Sequence, residues 1–271
     1  LDAMPEPYRS LLMGGFRTAF RDAPGQAIPT KWVQLAQQRW TNKPPKGVPM
    51  CSMAADASGG GADPMLLVYR HDGWFGECIE VPGAEIPMER AGAYCGGIIV
   101  SHRRDGALVN IDMGGGYGGP MYEHLSGNEI EVYAHKGAEA STRRSEDGLY
   151  KFVNKRSEII WRFMEALNPD QLGGSPIALP PDPKLIADLT APTYKLTPNG
   201  IKVESKEDVC ARLGRSTDRG DAVVMCWAQG ARHATHAMDW MDLEQRRGRY
   251  VKNPQVHTST RQPLSARRYT R

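Results

Sequence analysis

VPMCSMAADASGGGADPMLLVYR, residues 48–70, decides how the chain is read. From Met50 to Ala55 the side chains are apolar or small at consecutive positions, as in a strand buried on both faces. The run ends at an acid, Asp56, followed by Ala57, Ser58 and three glycines. Gly59, Gly60 and Gly61 let the chain reverse and Met65 to Tyr69 reads as a second strand, so the stretch predicts a hairpin with Asp56 beside its turn. Taken alone, an Asp next to a glycine-rich turn reads most simply as a turn-former.

Outward from this hairpin, composition narrows the class. A chain of 271 residues accommodates one large domain with appended segments. Cys51, Cys78, Cys95, Cys210 and Cys226 are odd in number and form no C-x-x-C pair, which points to reduced thiols in the cytoplasm and away from a zinc site. No apolar run reaches membrane-spanning length and no charged-then-apolar leader opens the chain, so no membrane partner is expected. The net charge is only +3, but no acid follows Glu244 while Arg246, Arg247, Arg249, Lys252, Arg261, Arg267, Arg268 and Arg271 do. Residues 236–271 therefore read as a basic tail suited to nucleic acid or another acidic surface. Residues 1–46 read as an entry segment, with an amphipathic helix over 31–40 capped by Thr30, and the start at Leu1 suggests a fragment of a longer chain.

Residues 47–235 carry the expected domain. Strands at 48–56, 64–71 and 74–81 form an antiparallel meander. A helix at 87–102 follows, with Met88, Ala91, Tyr94, Cys95, Ile98 and Ile99 as its apolar stripe. ALVNIDM, residues 107–113, is a second buried strand that ends at an acid, Asp112, and meets glycines. A strand reached through a helical crossover lies parallel to the first and near it, which would bring Asp112 close to Asp56. A helix at 117–126 and a strand at 129–133 come next, then a polar loop at 135–148 read as mobile. A long helix spans 149–167, a short one lies near 184–189, and an Asn199-Gly200 turn joins two strands within 194–204. Ser205 caps a helix over 206–213. A last, largely buried helix runs to about 231 and carries Asp218 and Asp221 three apart on one face, where helix capping alone would also explain them.

Each acid has a bland explanation; their conjunction does not. Several carboxylates at one edge of a core repel one another and lose hydration unless a cation neutralises them. Hard divalent ions with oxygen ligands meet that need, and such ions clamp the attacking and leaving oxygens of a phosphodiester.

The order of elements and the segments YRSLLMGGF, QAIPTKWVQLAQQRW, DASGGGAD, VNIDMGGGYGG, KFVNKRSEIIWRFMEAL and IKVESKEDVCARLGRSTDRGDAVVM resemble the C-terminal nuclease domain of tailed-bacteriophage large terminase subunits over residues 5–235. The resemblance implies an α/β, ribonuclease H-like mixed sheet flanked by helices. It also implies a two-metal endonuclease, using Mg2+ or Mn2+, that cuts concatemeric double-stranded DNA in the infected host cytoplasm. Carried over, the metal-holding and catalytic acids are Asp56, Asp112, Asp218 and Asp221, with Asp63 a weaker metal contact. Many relatives have two adjacent acids where this chain has Thr217-Asp218, so both Asp218 and Asp221 are retained. Implied partners are the portal protein, the small terminase subunit and an ATPase domain; no G-x-x-x-x-G-K-[ST] occurs in the sequence, so ATP-driven translocation is not assigned to these residues.

Lys206, the hairpin at 194–204, Arg143 and Arg144 are the expected contacts to DNA phosphates, with solvated surface the competing reading. His233 and His236 lack a third ligand nearby, and Ser58 lacks a nucleophile elbow. Competing readings are a junction resolvase or hybrid nuclease of the same fold, a non-catalytic DNA- or portal-docking module, and an actin-like nucleotide-binding protein.

Overall fold

The structure, a computed structural model, describes residues 22–230. Strands β1 (Ser52–Asp56), β2 (Met65–His71), β3 (Trp74–Phe75), β4 (Ile79–Val81), β5 (Leu108–Asp112) and β6 (Val132–His135) form one mixed sheet in the order β3-β2-β1-β5-β6, with β4 beside β3 on the outer edge of β2. The β1–β2 pair is antiparallel, and β5 and β6 run parallel to β1. The crossover rule thus places β5 as expected. The third expected strand is broken into β3 and β4 at Gly76, where a Cβ would stand 2.2 Å from the Tyr69 ring.

Side-chain alternation divides the core. Met53, Ala55, Met65, Leu67, Val109 and Ile111 pack on one face under helices α2 (Ala91–His102) and α3 (Gly118–Gly127). Ala54 and Val68 face the other way, into a larger core with α1 (Thr30–Gln38), α4 (Lys155–Leu167), α5 (Pro183–Thr190) and α7 (Asp218–Ala228). Gly92 and Gly96 weaken α2 in isolation, yet a Cβ at either would come within 2.6 Å of Pro120 or His124 on α3. The two helices approach closely through those glycines, which offsets their cost in helix propensity.

Several boundaries differ from the sequence reading. Ala27, Ile28, Trp32, Val33 and Ala36, in the segment read as an entry, pack in the larger core. Thr30 opens α1 instead of capping it, and its N–H is taken by the Asp22 carboxylate. The buried residues of α2 are Cys95, Gly96 and Ile99, whereas Met88 and Tyr94 are exposed. Strand β6 starts at Val132 because Glu129 adopts a positive φ of 59° in the turn before it. The long helix begins at Lys155, not residue 149: Asn154 accepts a hydrogen bond from the Ser157 N–H, a cap worth about 1 kcal/mol, and Leu149 is exposed. The polar loop is pinned, since Ser145 is buried and exchanges hydrogen bonds with the Tyr150 backbone.

Strands β7 (Tyr194–Thr197) and β8 (Gly200–Val203) form the expected hairpin, but the register Thr197↔Gly200 makes Pro198 and Asn199 the turn residues. Gly200 is already in the strand, at φ 117°, with the Lys151 carbonyl where a Cβ would go. Helix α6 (Lys206–Leu213) starts on Ser205, whose hydroxyl accepts from the Asp208 N–H. Helix α7 ends at Ala228. The YRSLLMGGF segment, His233, His236 and the basic tail lie outside the described residues. All five thiols are free, and no described helix is long and apolar enough to cross a membrane.

Candidate active site

Register brings the strand acids together. Ala54 pairs with Asn110 and Ala55 with Ile111, so Asp56 and Asp112 end neighbouring parallel strands at the same level. With period-two alternation both carboxylates leave the sheet on the Ala54 side, the side covered by α7. Gly118 permits this end of the sheet to close up, since a Cβ there would lie 2.1 Å from the Asp112 carbonyl oxygen.

Helix α7 then presents Asp218 and Asp221 from its first turn. A buried carboxylate on α5 aims it: Asp188 accepts from the N–H groups of Arg219 (3.2 Å) and Gly220 (3.4 Å), satisfying the exposed amide end of α7. Gly220 is needed there, because a Cβ would meet the Asp188 Cβ at 2.9 Å.

The four acids converge on one ammonium. Lys206 Nζ lies 2.9 Å from Asp56 Oδ2, 2.9 Å from Asp218 Oδ1, 3.8 Å from Asp221 Oδ2 and 4.0 Å from Asp112 Oδ2. A lysine at the first position of a helix opposes the dipole, so the acids, not helix preference, account for its place. Burial by itself would lower the Lys206 ammonium, but Asp56, Asp221 and Asp218 outweigh it and hold the pKa above the ordinary range. Burial pushes Asp56 up to about 7 against the pull of Lys206, and Asp218 and Asp112 add to the rise. Asp218 goes the other way: burial raises it, but Lys206 and the Ser216 hydroxyl bring it below the usual carboxylate range.

Three further groups escaped the sequence reading. Arg156 on α4 donates from Nη1 to Asp221 Oδ1 at 2.7 Å and from Nε to the Glu204 carbonyl at 3.1 Å, tying α7 to the segment that carries Lys206. Thr217 Oγ1 donates to the other Asp221 oxygen at 3.1 Å. His135 is buried, directly opposite Asp112 on β6, and burial holds its imidazole below the ordinary value despite Asp112. The helical pattern of α4 contained Arg156, but nothing local distinguished it from a solvated arginine.

The other candidates lie apart from this cluster. Asp63 is exposed on the turn, and its main-chain carbonyl, not its carboxylate, is used, by the Ser58 hydroxyl. Arg143 pairs with Glu158 at 3.6 Å and Arg144 donates to the Gly148 carbonyl. Lys206, expected on phosphate, is surrounded by the four aspartates.

Among the described residues no three His, Cys, Asp or Glu side chains stand ready as a metal ligand set. The reason is visible in the distances: the ammonium occupies the point on which the carboxylate oxygens converge. The donor set itself is all oxygen and carries more negative charge than its cations, which suits Mg2+ or Mn2+.

No family model and no curated protein matches the sequence. Solved structures do match the fold. A lysine-to-alanine variant of the nuclease domain of the large terminase subunit of bacterial virus Sf6, with manganese and beta-thujaplicinol, is 21% identical, with a TM-score of 0.57 over 76% of this chain and 100% of that one. The unmodified Sf6 nuclease domain is 22% identical over the same shares at 0.55, and a variant with calcium is 21% identical over 74% and 98% at 0.56. The mixed sheet, its flanking helices and these matches agree: the chain has the ribonuclease H-like fold of large-terminase nuclease domains.

Proposed function

We propose that this chain is a metal-dependent endonuclease that cuts double-stranded DNA, acting as the nuclease domain of a viral packaging terminase. The observation that carries the reading is the convergence of Asp56, Asp112, Asp218 and Asp221, from two strands and a helix, on one Lys206 ammonium. Four aspartates facing one lysine and one arginine leave a formal excess of two negative charges (four minus two), which folding alone does not explain and which a divalent cation would offset.

Asp56, Asp112 and Asp218 would hold metal, with Asp221 completing the set, and the bound ions would activate water and neutralise the scissile phosphate. Each residue of the chain then has a task. Arg156 and Thr217 fix both oxygens of Asp221, so its carboxylate cannot rotate away. Lys206 screens the carboxylates from one another when no divalent ion is present, and its aliphatic stem can carry the ammonium aside. His135 supports the Asp112 end of the sheet as a neutral, buried ring.

The manganese named with the Sf6 domain supports Mn2+ or Mg2+ as the cofactor; the two-metal chemistry of phosphodiester cleavage is the ground for proposing two ions. In this reading the setting is a viral DNA-packaging complex in the host cytoplasm, and portal protein, small terminase subunit and an ATPase domain are its proposed partners.

Plasmid cleavage with Mn2+, Mg2+ or EDTA tests the reading. Cutting that needs metal and is lost in Asp56→Asn is expected, and undiminished cutting by that variant would remove Asp56 from the site. Duplex, branched and RNA–DNA hybrid substrates in parallel separate a terminase-like nuclease from a resolvase or hybrid nuclease. DNA binding without any metal-dependent cutting would favour the docking module.

A further inference from the structure

The β7–β8 hairpin carries a like-charge pair. Lys195 and Lys202 are direct cross-strand partners, both exposed, on the same face of the ribbon. Like charges directly opposite destabilise a strand pair, so the arrangement needs a reason outside the ribbon. The charge extends further across. Phe152 pairs in parallel with Ile201, both buried, which puts Lys151 on the solvent face diagonal to Lys202. Arg144 pairs in turn with Lys151. Four cations on four adjoining segments therefore share one exposed face.

No carboxylate pairs with them among the described residues. Among the described residues Lys151, Lys195 and Lys202 form no ion pair, and Arg144 reaches only the Gly148 carbonyl. Of the two acids nearest Arg144 in sequence, Glu146 forms no ion pair with it among the described residues, and Asp147 is taken up by the Ser145 hydroxyl and the Leu149 N–H. Lysines on sheet edges do protect against aggregation, and Lys195 on the outer strand would fit that role. Lys202 does not fit it, because β8 lies between β7 and the segment at 151–153, with both edges paired. Lys202 is also four residues from Lys206, a run of at most roughly 13 Å in extended chain, so the stripe begins within that reach of the residue at the centre of the carboxylate cluster.

We propose that Arg144, Lys151, Lys202 and Lys195 form a phosphate-tracking stripe that holds the backbone of duplex DNA beside the cleft. The stripe rests on the nuclease reading for its substrate, but it acts without metal. Each phosphate neutralised releases counterions, so each lysine in contact adds about 0.9 to the slope of log affinity against log salt.

The test is fluorescence anisotropy of a labelled duplex in EDTA across a salt series, with plasmid cutting in Mn2+ run alongside. The double variant Lys195→Gln/Lys202→Gln is expected to lower the slope by about 1.8 and to weaken binding by about 60-fold at 0.1 M salt relative to the 1 M limit. Lys195→Arg/Lys202→Arg should keep the slope, as should Lys46→Gln, which changes an exposed lysine in the connector before β1. Because the like-charge pair is relieved, the Gln variant should melt no lower than the parent at low salt. An unchanged slope, no duplex binding by the parent, or tighter binding to duplex RNA than to duplex DNA would each overturn the stripe. A normal slope change with no Mn2+-dependent cutting would instead overturn the nuclease reading and leave the stripe standing.

Discussion

Two acid clusters meet at the first turn of α7, and they are built differently. On one side Asp218 and Asp221 join Asp56 and Asp112 around Lys206, with Arg156 behind. On the other, Asp188, Asp182 and Glu80 are matched by Arg215 and Arg219. The second cluster is nearly neutral, three acids to two arginines, and its buried acid caps the helix; it accounts for itself as structure. The first keeps a larger charge excess at a partly open position, with Asp56 pushed up to about 7 by burial. On the proposed reading, what sets the Lys206 cluster apart from the capping cluster is its larger charge excess, two against one.

That contrast breaks if the two clusters respond alike to mutation. The largest effect expected is on cutting: Asp56→Asn or Asp112→Asn should reduce Mn2+-dependent plasmid cleavage by at least about a hundredfold to a thousandfold, the scale seen when a group aimed at developing charge is removed. Neither should lower the melting temperature of the metal-free protein appreciably. Asp188→Ala should do the reverse. It removes a helix cap and half of an ion pair, at about 2–4 kcal/mol in urea unfolding, while cutting under native conditions persists.

Lys206→Ala sharpens the comparison at intermediate size. Four carboxylates lose their common cation, so the variant should melt several degrees below the parent in EDTA and recover in Mn2+. A loss that Mn2+ does not restore would mean that the acids do not hold metal. The smallest effect concerns pH. Asp56 is raised from 3.8 to about 7, so the folded metal-free protein holds a proton there that the unfolded chain gives up. Its contribution to stability is full below about pH 4 and is lost as pH rises through about 7. The parent should therefore lose stability relative to Asp56→Asn between pH 5 and 8, read as the difference of their melting temperatures in EDTA.

Much of the framework was legible because it is written locally. The apolar run ending in Asp56, the same pattern ending in Asp112, and Ser205 before α6 each carry their signal within a few residues. Boundaries failed where a nonlocal contact competed with the local pattern. Phe152 and Val153 look like the start of α4, but pairing with Ile201 holds that segment extended until Asn154 caps the helix. Glycines in α2 read as weakness, and only the approach of α3 shows what they accommodate.

The site divides in the same way. Sequence by itself determined which acids end buried elements, since an acid at the close of an apolar run is visible without a fold. Tertiary structure alone decided that Lys206 stands among those acids, that Arg156 and Thr217 fix Asp221, that His135 backs Asp112, and that Asp63 is not among the partners of Lys206. Charges cooperate over a few ångströms of space but across 150 positions of chain between Asp56 and Lys206, and that nearness exists only once the sheet and α7 have closed on each other.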